Sequence, residues 1–299
     1  MAKILVTGGA GFIGSNLVDV LIQEGHEVLV IDNLSTGKKE NINPKAIFFQ
    51  VDLRELDKIK PIFQAVDFVF HEAALARVEL SIKDPVTYND NNVNIALNVL
   101  VAARDAKVKK VIYASSSSVY GDQEVMPLSE DMIVKPTSPY GLQKYIGEQY
   151  CRLFSYLYKL PTVCLRYFNV YGQRMATEGA YASVISIFGQ QRQKGQSMTI
   201  AGDGTHLRTY TFVGDIVRAN TLASQSEITD GRAINTGQST EYSVNEIAKM
   251  FGGPVTNIPE RIEPVRNLCG NSLAKKLLNW EPTIDLPQWL PVYKKEMGI

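Results

Sequence analysis

The chain has 299 residues, 31 of them basic and 31 acidic, so it carries no formal net charge at pH 7. A neutral chain without a basic stripe does not favour nucleic-acid binding, and no apolar run is long enough to cross a membrane. The length accommodates one large α/β domain and a smaller lobe.

The first predicted strand, residues 3–7, runs into a glycine-rich turn from which a helix over 12–24 begins. Gly8 permits the tight turn, Gly11 lets the backbone approach a pyrophosphate, and Gly14 lets the helix pack on the strand. Backbone amides at a helix start face phosphates, where the helix dipole favours negative charge. This pattern predicts a dinucleotide site.

An acid follows the second predicted strand, residues 27–31, at the spacing that a dinucleotide site requires. The Asp32 carboxylate would accept hydrogen bonds from the adenosine ribose hydroxyls and repel the 2′-phosphate of NADP. The sequence therefore predicts NAD as the cofactor.

Further strands are predicted over 46–51, 67–70, 110–115 and 162–166, and helices near 53–64, 89–107 and 139–158. Strands alternating with helices predict a doubly wound parallel sheet of the Rossmann type, with ligands beyond the carboxyl ends of the strands.

The character of the sequence changes after residue 166. We expect an NAD-binding domain over 1–166, to which 212–236 return, and a smaller, interleaved α+β lobe for the substrate over 167–211 and 237–299. Short strands and turns are expected to predominate in that lobe.

A run of four serines and a tyrosine–lysine pair are the next candidate functional residues along the chain. Ser115 to Ser118 end the fifth predicted strand, where a hydroxyl can bond a substrate oxygen or cap its own backbone. Tyr140 and Lys144 share one face of the helix that follows. A nearby ammonium, like the positive nicotinamide of an oxidised cofactor, would lower the pKa of a phenol and make it a usable base.

Together, the glycine turn, the serine run and the tyrosine–lysine pair resemble the extended short-chain dehydrogenase family of NAD-dependent sugar-nucleotide epimerases and dehydratases. The resemblance also includes residues 32–35, 88–93, 165–172 and 202–208. It is strongest to 4-epimerases of UDP-hexoses, especially those that accept UDP-N-acetylglucosamine. It implies an NAD-dependent isomerase acting on a UDP-sugar, and a homodimer formed through the helices near 89–107 and 139–158.

The resemblance assigns Ser116, Tyr140 and Lys144 to catalysis. It places Asn92 beside the lysine, Tyr167 at the nicotinamide, and Asp52 with Leu53 at the adenine. The residues that it implies for the cofactor are Gly8, Gly11, Phe12, Ile13, Gly14, Asp32, Asn33, Ser35, Thr36, Gly37, Asp52, Leu53, Ala73, Ala74, Ala76, Asn92, Ser115, Tyr140, Lys144 and Tyr167.

On the substrate side, the resemblance implies arginines that clamp the pyrophosphate, a uridine pocket and a residue bordering the sugar. These residues are Ser116, Tyr140, Asn169, Ser183, Val184, Thr199, Ala201, Arg208, Arg261 and Leu268. Arg266 is an alternative to Arg261, and counting back from Ser272 puts Asn267 instead of Leu268 at the sugar.

Three alternatives stay open in the sequence. Dehydratases of this family place an acid pair where the chain has Ser117 and Ser118, and related decarboxylases keep a Glu at the second position. Two serines cannot supply the extra acid and base that elimination needs, which argues against a dehydratase or a decarboxylase. A UDP-glucuronate 4-epimerase has a similar loop. A non-catalytic NAD-sensing module would tolerate loss of Tyr140 or Lys144, and both are present.

Some partners are not expected. The three cysteines lack CxxC spacing and the three histidines form no metal-ligand pattern, so we expect no metal. The first strand starts three residues from the initial Met, which leaves no room for a signal peptide, and we expect a cytoplasmic protein.

Overall fold

A computed structural model describes residues 1–177, 182–259 and 266–299. In chain order the strands are β1 (Lys3–Thr7), β2 (Glu27–Ile31), β3 (Ile47–Phe49), β4 (Phe68–His71), β5 (Lys110–Ser116), β6 (Thr162–Tyr167), β7 (Val170–Tyr171), β8 (Met198–Ala201), β9 (Leu207–Thr209), β10 (Thr211–Phe212), β11 (Asp230–Thr236), β12 (Glu241–Ser243), β13 (Val255–Ile258) and β14 (Arg266–Asn267).

The α-helices lie between these strands and at the carboxyl terminus. They are α1 (Phe12–Gln23), α2 (Leu56–Ile59), α3 (Val78–Lys83), α4 (Pro85–Asn89), α5 (Ile95–Asp105), α6 (Pro139–Tyr158), α7 (Val184–Gln193), α8 (Val213–Gln225), α9 (Val244–Phe251), α10 (Ser272–Leu278) and α11 (Leu286–Met297).

Seven strands form one parallel sheet in the order β11-β6-β5-β4-β1-β2-β3. Helices α1, α8 and α10 cover one face, with Leu17, Ile216 and Trp280 in that core. Helices α5 and α6 cover the other face, with Val99 and Phe154 among its buried side chains. This doubly wound α/β sheet confirms the predicted fold class.

In the first half of the chain the observed strands and helices lie close to the predicted ones. The differences are two predicted helices that the structure divides into shorter segments. The helix predicted over 53–64 is the short α2 followed by a 3₁₀ turn (Lys60–Phe63), because Pro61 cannot continue the α-helical hydrogen bonding. The helix predicted over 89–107 divides into α4, a π-helical turn (Asp90–Asn94) and α5.

The prediction that short strands and turns predominate after residue 166 is wrong. Five helices, α7 to α11, lie in the described part of that region, and two of them begin with capping boxes at Ser243 and Asp285. Aromatic side chains join three of them, α7, α9 and α11, in a separate core, in which Tyr171, Phe251 and Trp289 are buried.

The order of the strands reverses on either side of β1, because β1 pairs with both β2 and β4. At such a switch point the loops after two neighbouring strands lead in opposite directions and leave a crevice. The glycine turn follows β1 and Glu72 follows β4, so both line that crevice. Along the described chain, no helix is long and apolar enough to cross a membrane.

Candidate active site

A cleft of about 1580 Å³ begins at this crevice and extends to the helices of the second half. Pockets for one small molecule occupy roughly 300–1,000 Å³, so the cleft is large enough for two sizeable ligands side by side. Its walls combine residues that follow β1, β2, β4, β5 and β6 with residues of α7, β8 and β9.

The glycine turn forms a close-fitting backbone cradle at one end of the cleft. Gly8 has φ +72°, and a Cβ there would lie 2.7 Å from the Ala73 nitrogen. A Cβ on Gly14 would lie 2.3 Å from the Gly8 carbonyl oxygen. Because the first amides of α1 have no partner within the helix, they are available to phosphate oxygens. The cradle therefore fits a dinucleotide pyrophosphate.

Asp32 lies beside this cradle in the cleft wall. Its Oδ2 accepts from the Ala10 amide at 3.1 Å and its Oδ1 accepts from the Leu34 amide at 2.8 Å. Burial raises the pKa of the carboxyl, and the two hydrogen bonds oppose that rise. A carboxylate fixed in this way retains lone pairs for ribose hydroxyls.

Asp52 is held farther along the same wall. It accepts from Asn33 at 3.2 Å and pairs with Arg54 at 2.7 Å. The hydrogen bond from Arg54 lowers the pKa of Asp52 to about 2.

Tyr140 lies in the first turn of α6, across the cleft from the glycine turn. The Ser138 hydroxyl caps the helix by accepting from the Gly141 amide at 3.1 Å, and the Ser81 hydroxyl accepts from the Tyr140 amide at 3.1 Å. The Tyr140 phenol shares a hydrogen bond with the Ser116 side chain. The pair predicted from sequence, a phenol and a strand-end hydroxyl, is therefore brought together in one cleft.

Burial dominates the electrostatics of Tyr140. Burial raises the pKa of this phenol to about 12, while the Ser116 hydrogen bond and the Arg77 charge lower it. Desolvation of the phenolate outweighs these two contributions, and the lowering predicted from an ammonium together with a positive nicotinamide stays a prediction.

Lys144 lies one helical turn beyond Tyr140, behind the cleft wall. Its Nζ donates to the Ala114 carbonyl oxygen at 2.8 Å and lies 5.2 Å from the centre of the Tyr113 ring. Burial lowers the pKa of Lys144 to about 8, and the charge of Glu72 opposes this.

The serine run serves both of the roles considered for it. Ser116 Oγ accepts from the Ser118 amide at 3.1 Å, which caps a 3₁₀ turn, while Ser116 also faces Tyr140. Ser115 Oγ donates to Glu148 Oε1 at 2.6 Å, and Glu148 forms a buried ion pair with Arg166.

Sequence reasoning missed Glu72, a cleft residue at the carboxyl end of β4. The Tyr167 hydroxyl donates to Glu72 Oε1 at 2.8 Å and accepts from Asn220 Nδ2 at 2.7 Å. The sequence could have indicated Glu72, because an acid directly after an apolar strand lies at the ligand-binding edge of a parallel sheet.

On the side of the second lobe, the predicted residues line the far end of the cleft. Asn169 has φ +31° and its Nδ2 donates to the Thr209 carbonyl oxygen at 2.8 Å. Ser183 caps α7 by accepting from the Ser186 amide at 3.3 Å, and the Thr199 hydroxyl accepts from Gln191 at 2.9 Å.

Most of the predicted site residues share this one cleft. Those in its wall are Gly8, Gly11, Phe12, Ile13, Gly14, Asp32, Asn33, Ser35, Thr36, Asp52, Leu53, Ala73, Ala74, Ala76, Ser115, Ser116, Tyr140, Tyr167, Asn169, Ser183, Val184, Thr199, Ala201 and Arg208. Arg261 lies outside the described residues, and Arg266 pairs with Glu241 at an exposed position.

Four predicted residues are not part of this wall: Gly37, Asn92, Lys144 and Leu268. Asn92 bonds both the Leu75 backbone and Gln143, which braces α6. The Leu268 carbonyl accepts from the Leu128 amide at 2.8 Å, and the neighbouring Asn267 lines the cleft in its place. Asn267 is the last residue of β14 and Leu268 follows it; successive side chains of an extended chain point to opposite sides, which explains this difference of one residue.

The described part of the chain contains no group of three or more His, Cys, Asp or Glu side chains placed to hold a metal ion.

Comparison with known proteins gives matches over nearly the whole chain. UDP-glucose 4-epimerase of Mycolicibacterium smegmatis is 36% identical over 305 residues, which cover 96% of this chain and 95% of that protein. UDP-N-acetylglucosamine 4-epimerase of Methanobrevibacter ruminantium, solved with UDP-N-acetylmuramic acid, is 35% identical with a TM-score of 0.93, covering 99% of this chain and 97% of the other.

A third match, UDP-glucuronic acid 4-epimerase of Bacillus cereus, was solved with UDP-glucuronic acid and NAD. It is 32% identical with a TM-score of 0.90, and the match covers 99% of both chains. A family profile described as NAD dependent epimerase/dehydratase matches residues 4–237. The chain therefore belongs to the NAD-dependent epimerase/dehydratase family, and its cofactor is NAD.

Proposed function

We propose that this protein inverts C4 of a UDP-hexose, with UDP-N-acetylglucosamine and UDP-N-acetylgalactosamine as its preferred pair. The observation that carries the proposal is the hydrogen-bonded pair of Tyr140 and Ser116 in a cleft that begins at the dinucleotide cradle. All three named relatives are 4-epimerases of UDP-sugars, which supports the same reaction here.

Tyr140 as phenolate takes the proton from the O4 hydroxyl of the sugar and later returns it. The Ser116 hydroxyl bonds the same oxygen and holds it against the phenol. Lys144 supplies positive charge from behind the wall, which favours the phenolate. When bound, oxidised NAD supplies a hydride acceptor for the sugar carbon and a further positive charge. Epimerisation at C4 breaks no C–O bond of the sugar, in contrast to loss of water. Tyr140 is therefore the only acid or base that the proton transfer needs.

The serine pair after Ser116 supports epimerisation over elimination. Ser117 is buried and its hydroxyl accepts from Asn267 Nδ2 at 3.2 Å. Neither Ser117 nor Ser118 is an acid or base at neutral pH, so loss of water from the sugar would have no proton donor at this position.

Asn267 supports the choice of an N-acetylated sugar. Its Oδ1 is buried and, among the described residues, has no hydrogen-bond partner. An unpaired amide oxygen is costly to bury, and the N–H of an acetamido group would satisfy it. Asn267 is also smaller than an aromatic residue and leaves room for the acetyl group.

A second candidate substrate is a UDP-uronic acid. Arg77 lines the cleft, and its positive charge acts on Tyr140. An arginine near the reacting sugar would favour a carboxylate on that sugar.

A panel of UDP-hexoses incubated with purified enzyme, with products identified by NMR, tests both candidates. We expect UDP-N-acetylgalactosamine from UDP-N-acetylglucosamine with the highest kcat/KM and no net consumption of NAD. A higher kcat/KM for UDP-glucuronate would select the second candidate. Absence of any C4 epimer across the panel would contradict the proposed function.

A further inference from the structure

Glu148 is a buried acid of α6 that the proton transfer above does not use. It follows Tyr140 and Lys144 at steps of four residues, so the three side chains share one buried face of the helix. That face lies against β5. Lys144 Nζ donates to the Ala114 carbonyl oxygen at 2.8 Å, and the hydroxyl of the next residue, Ser115, donates to Glu148 Oε1 at 2.6 Å. The helix is therefore attached to two successive residues of the strand.

Arg166 of β6 holds the same carboxylate from the neighbouring strand. Its Nε donates to Glu148 Oε1 at 2.8 Å and its Nη2 donates to Glu148 Oε2 at 2.7 Å, a bidentate contact with a fixed orientation. The guanidinium also lies over the Tyr120 ring, 4.7 Å from its centre. One carboxylate thus fixes α6 on both β5 and β6, the paired strands that end in Ser116 and Tyr167.

Stability alone does not explain this buried ion pair. Removal of two charges from water is costly, and the attraction between them repays that cost only when the remaining polar groups are also paired. Arg166 is 3% exposed, and its buried Nη1 has no hydrogen-bond partner among the described residues. Apolar side chains of similar volume would avoid the cost, but they would not supply the directed contact that sets how α6 lies on the sheet.

The seat of α6 also determines where the reacting phenol lies, because the helix packs against β5 and the serine run with little clearance. A Cβ on Gly147 would lie 2.1 Å from the Tyr113 hydroxyl oxygen, and a Cβ on Gly141 would lie 2.4 Å from the Ser118 carbonyl oxygen. Gly141 directly follows Tyr140. A shift of α6 along β5 would therefore move the phenol relative to the serine run.

We propose that Glu148 and Arg166 are positioning residues, whose ion pair seats α6 so that the Tyr140 phenol stays within hydrogen-bond reach of Ser116. The inference rests on the proposed function, in which these two hydroxyl groups act on one oxygen of the sugar. A reacting group misplaced by about 1 Å can lose about 10²-fold in rate. The pair should therefore contribute to kcat while being dispensable for folding.

The test replaces both partners together, Glu148→Met with Arg166→Met, so that neither charge is left buried alone. We expect the midpoint of urea unfolding to stay at or above the wild-type value. For the best UDP-hexose, kcat should fall by about 10²-fold, with KM and bound NAD little changed. The control, Asp230→Asn with Arg232→Gln, removes an exposed ion pair of the neighbouring strand β11 and should follow the wild type. Wild-type kcat in the folded double variant would overturn the proposal.

A second comparison shows whether the effect passes through Ser116. In a Ser116→Ala background, the double replacement at Glu148 and Arg166 should cost kcat much less than it does in the wild type, because the hydrogen bond that it misaligns is already absent. Equal fold-losses in the two backgrounds would mean that the ion pair acts elsewhere, and would overturn the proposal.

Arg166→Lys provides the test if the double replacement does not fold. A lysine keeps the charge but cannot hold both carboxylate oxygens in one plane, so kcat should fall while KM stays near the wild-type value. An unchanged kcat in Arg166→Lys would overturn the proposal. An inactive wild type would contradict the proposed function, whereas an active wild type with any of the overturning results would contradict only this inference.

Discussion

A phenol buried as deeply as Tyr140 is a poor base until the groups around it favour its anion. Burial raises the pKa of this phenol to about 12, and Ser116 and Arg77 are the residues that lower it. We expect a further decrease from the bound ligands and from Lys144, which lies one turn along α6.

Replacement of Tyr140 by Phe tests the base directly. We expect kcat to fall by about 10²–10⁴, the usual contribution of a general base, because only the ionisable oxygen is lost. NAD content and UDP affinity, measured on the same preparation, should stay near the wild-type values. Tyr145→Phe in the same helix is the matched control. Activity in Tyr140→Phe within a few-fold of the control would exclude this phenol as the base.

We expect the sugar preference to depend on one side chain in the short strand β14, that of Asn267. Asn267→Tyr should depress kcat/KM for UDP-N-acetylglucosamine far more than for UDP-glucose, because a rigid ring in the cleft wall would clash with the acetamido group. Leu268→Tyr is the adjacent control, since Leu268 does not line the cleft. Equal losses on both substrates in Asn267→Tyr, or the selective loss in Leu268→Tyr instead, would show that Asn267 does not set the preference.

At the scale of elements, the turn between β1 and α1 combines a left-handed backbone conformation with a close approach to the loop after β4. Gly8 and Gly25 both have positive φ, +72° and +83°. A Cβ on Gly8 would collide with the Ala73 backbone, whereas a Cβ on Gly25 would meet nothing within 4 Å. Substitutions at Gly8 and Gly25 should therefore share the energetic cost of a left-handed conformation, and only the substitution at Gly8 should also disturb the cradle.

Gly8→Ala and Gly25→Ala should both lower the free energy of unfolding, by about 1–2 kcal/mol for the left-handed conformation. We expect only Gly8→Ala to purify with little NAD, because the loop after β4 has to move away from the cradle. Urea unfolding and the NAD released on denaturation are the measurements. Equal NAD contents in the two variants would contradict a role of Gly8 in the cofactor site.

At the scale of the whole molecule, the titration of buried groups makes stability depend on pH. His71 is buried in the central sheet, where its Nδ1 bonds the Thr7 hydroxyl at 2.7 Å. Burial and the charge of Lys144 lower its pKa from 6.5 to about 3. The stability associated with neutral His71 is complete above the unfolded value of 6.5 and is lost as the pH falls from there toward 3. Glu72, with its raised pKa, has the opposite effect over part of this range.

His71→Gln removes the contribution of His71 titration to the free energy of unfolding, so the variant measures that contribution by difference. Acidification from pH 6.5 to pH 5 should cost the wild type about 2 kcal/mol more of unfolding free energy than it costs the variant, at about 1.4 kcal/mol per pH unit. Urea unfolding of both proteins at several pH values gives the difference, and the gap measured at about pH 8 serves as the reference. Parallel curves for the two proteins would mean that His71 does not titrate on unfolding.

Local patterns determined the glycine turn, the acid after β2, the serine run and the Tyr140–Lys144 spacing, because each depends on residues close together in the chain. Periodicity also determined the sheet, since buried parallel strands are short apolar runs. Sequence alone did not anticipate the helices after residue 166, since many of their apolar positions face the aromatic core of the second lobe, which exists only after packing.

The tertiary structure decided what depends on burial and on distant neighbours. It raised the pKa of Tyr140, and it put Lys144 behind the wall and Glu72 within reach of Tyr167. It also chose Asn267 over Leu268 for the cleft, because the pairing of β14 with β9 sets which side chain points inward. Residue spacing along the chain is enough to recognise which side chains form the site. Their exposure to solvent, and the side to which each one points, are set only when elements distant in sequence pack together.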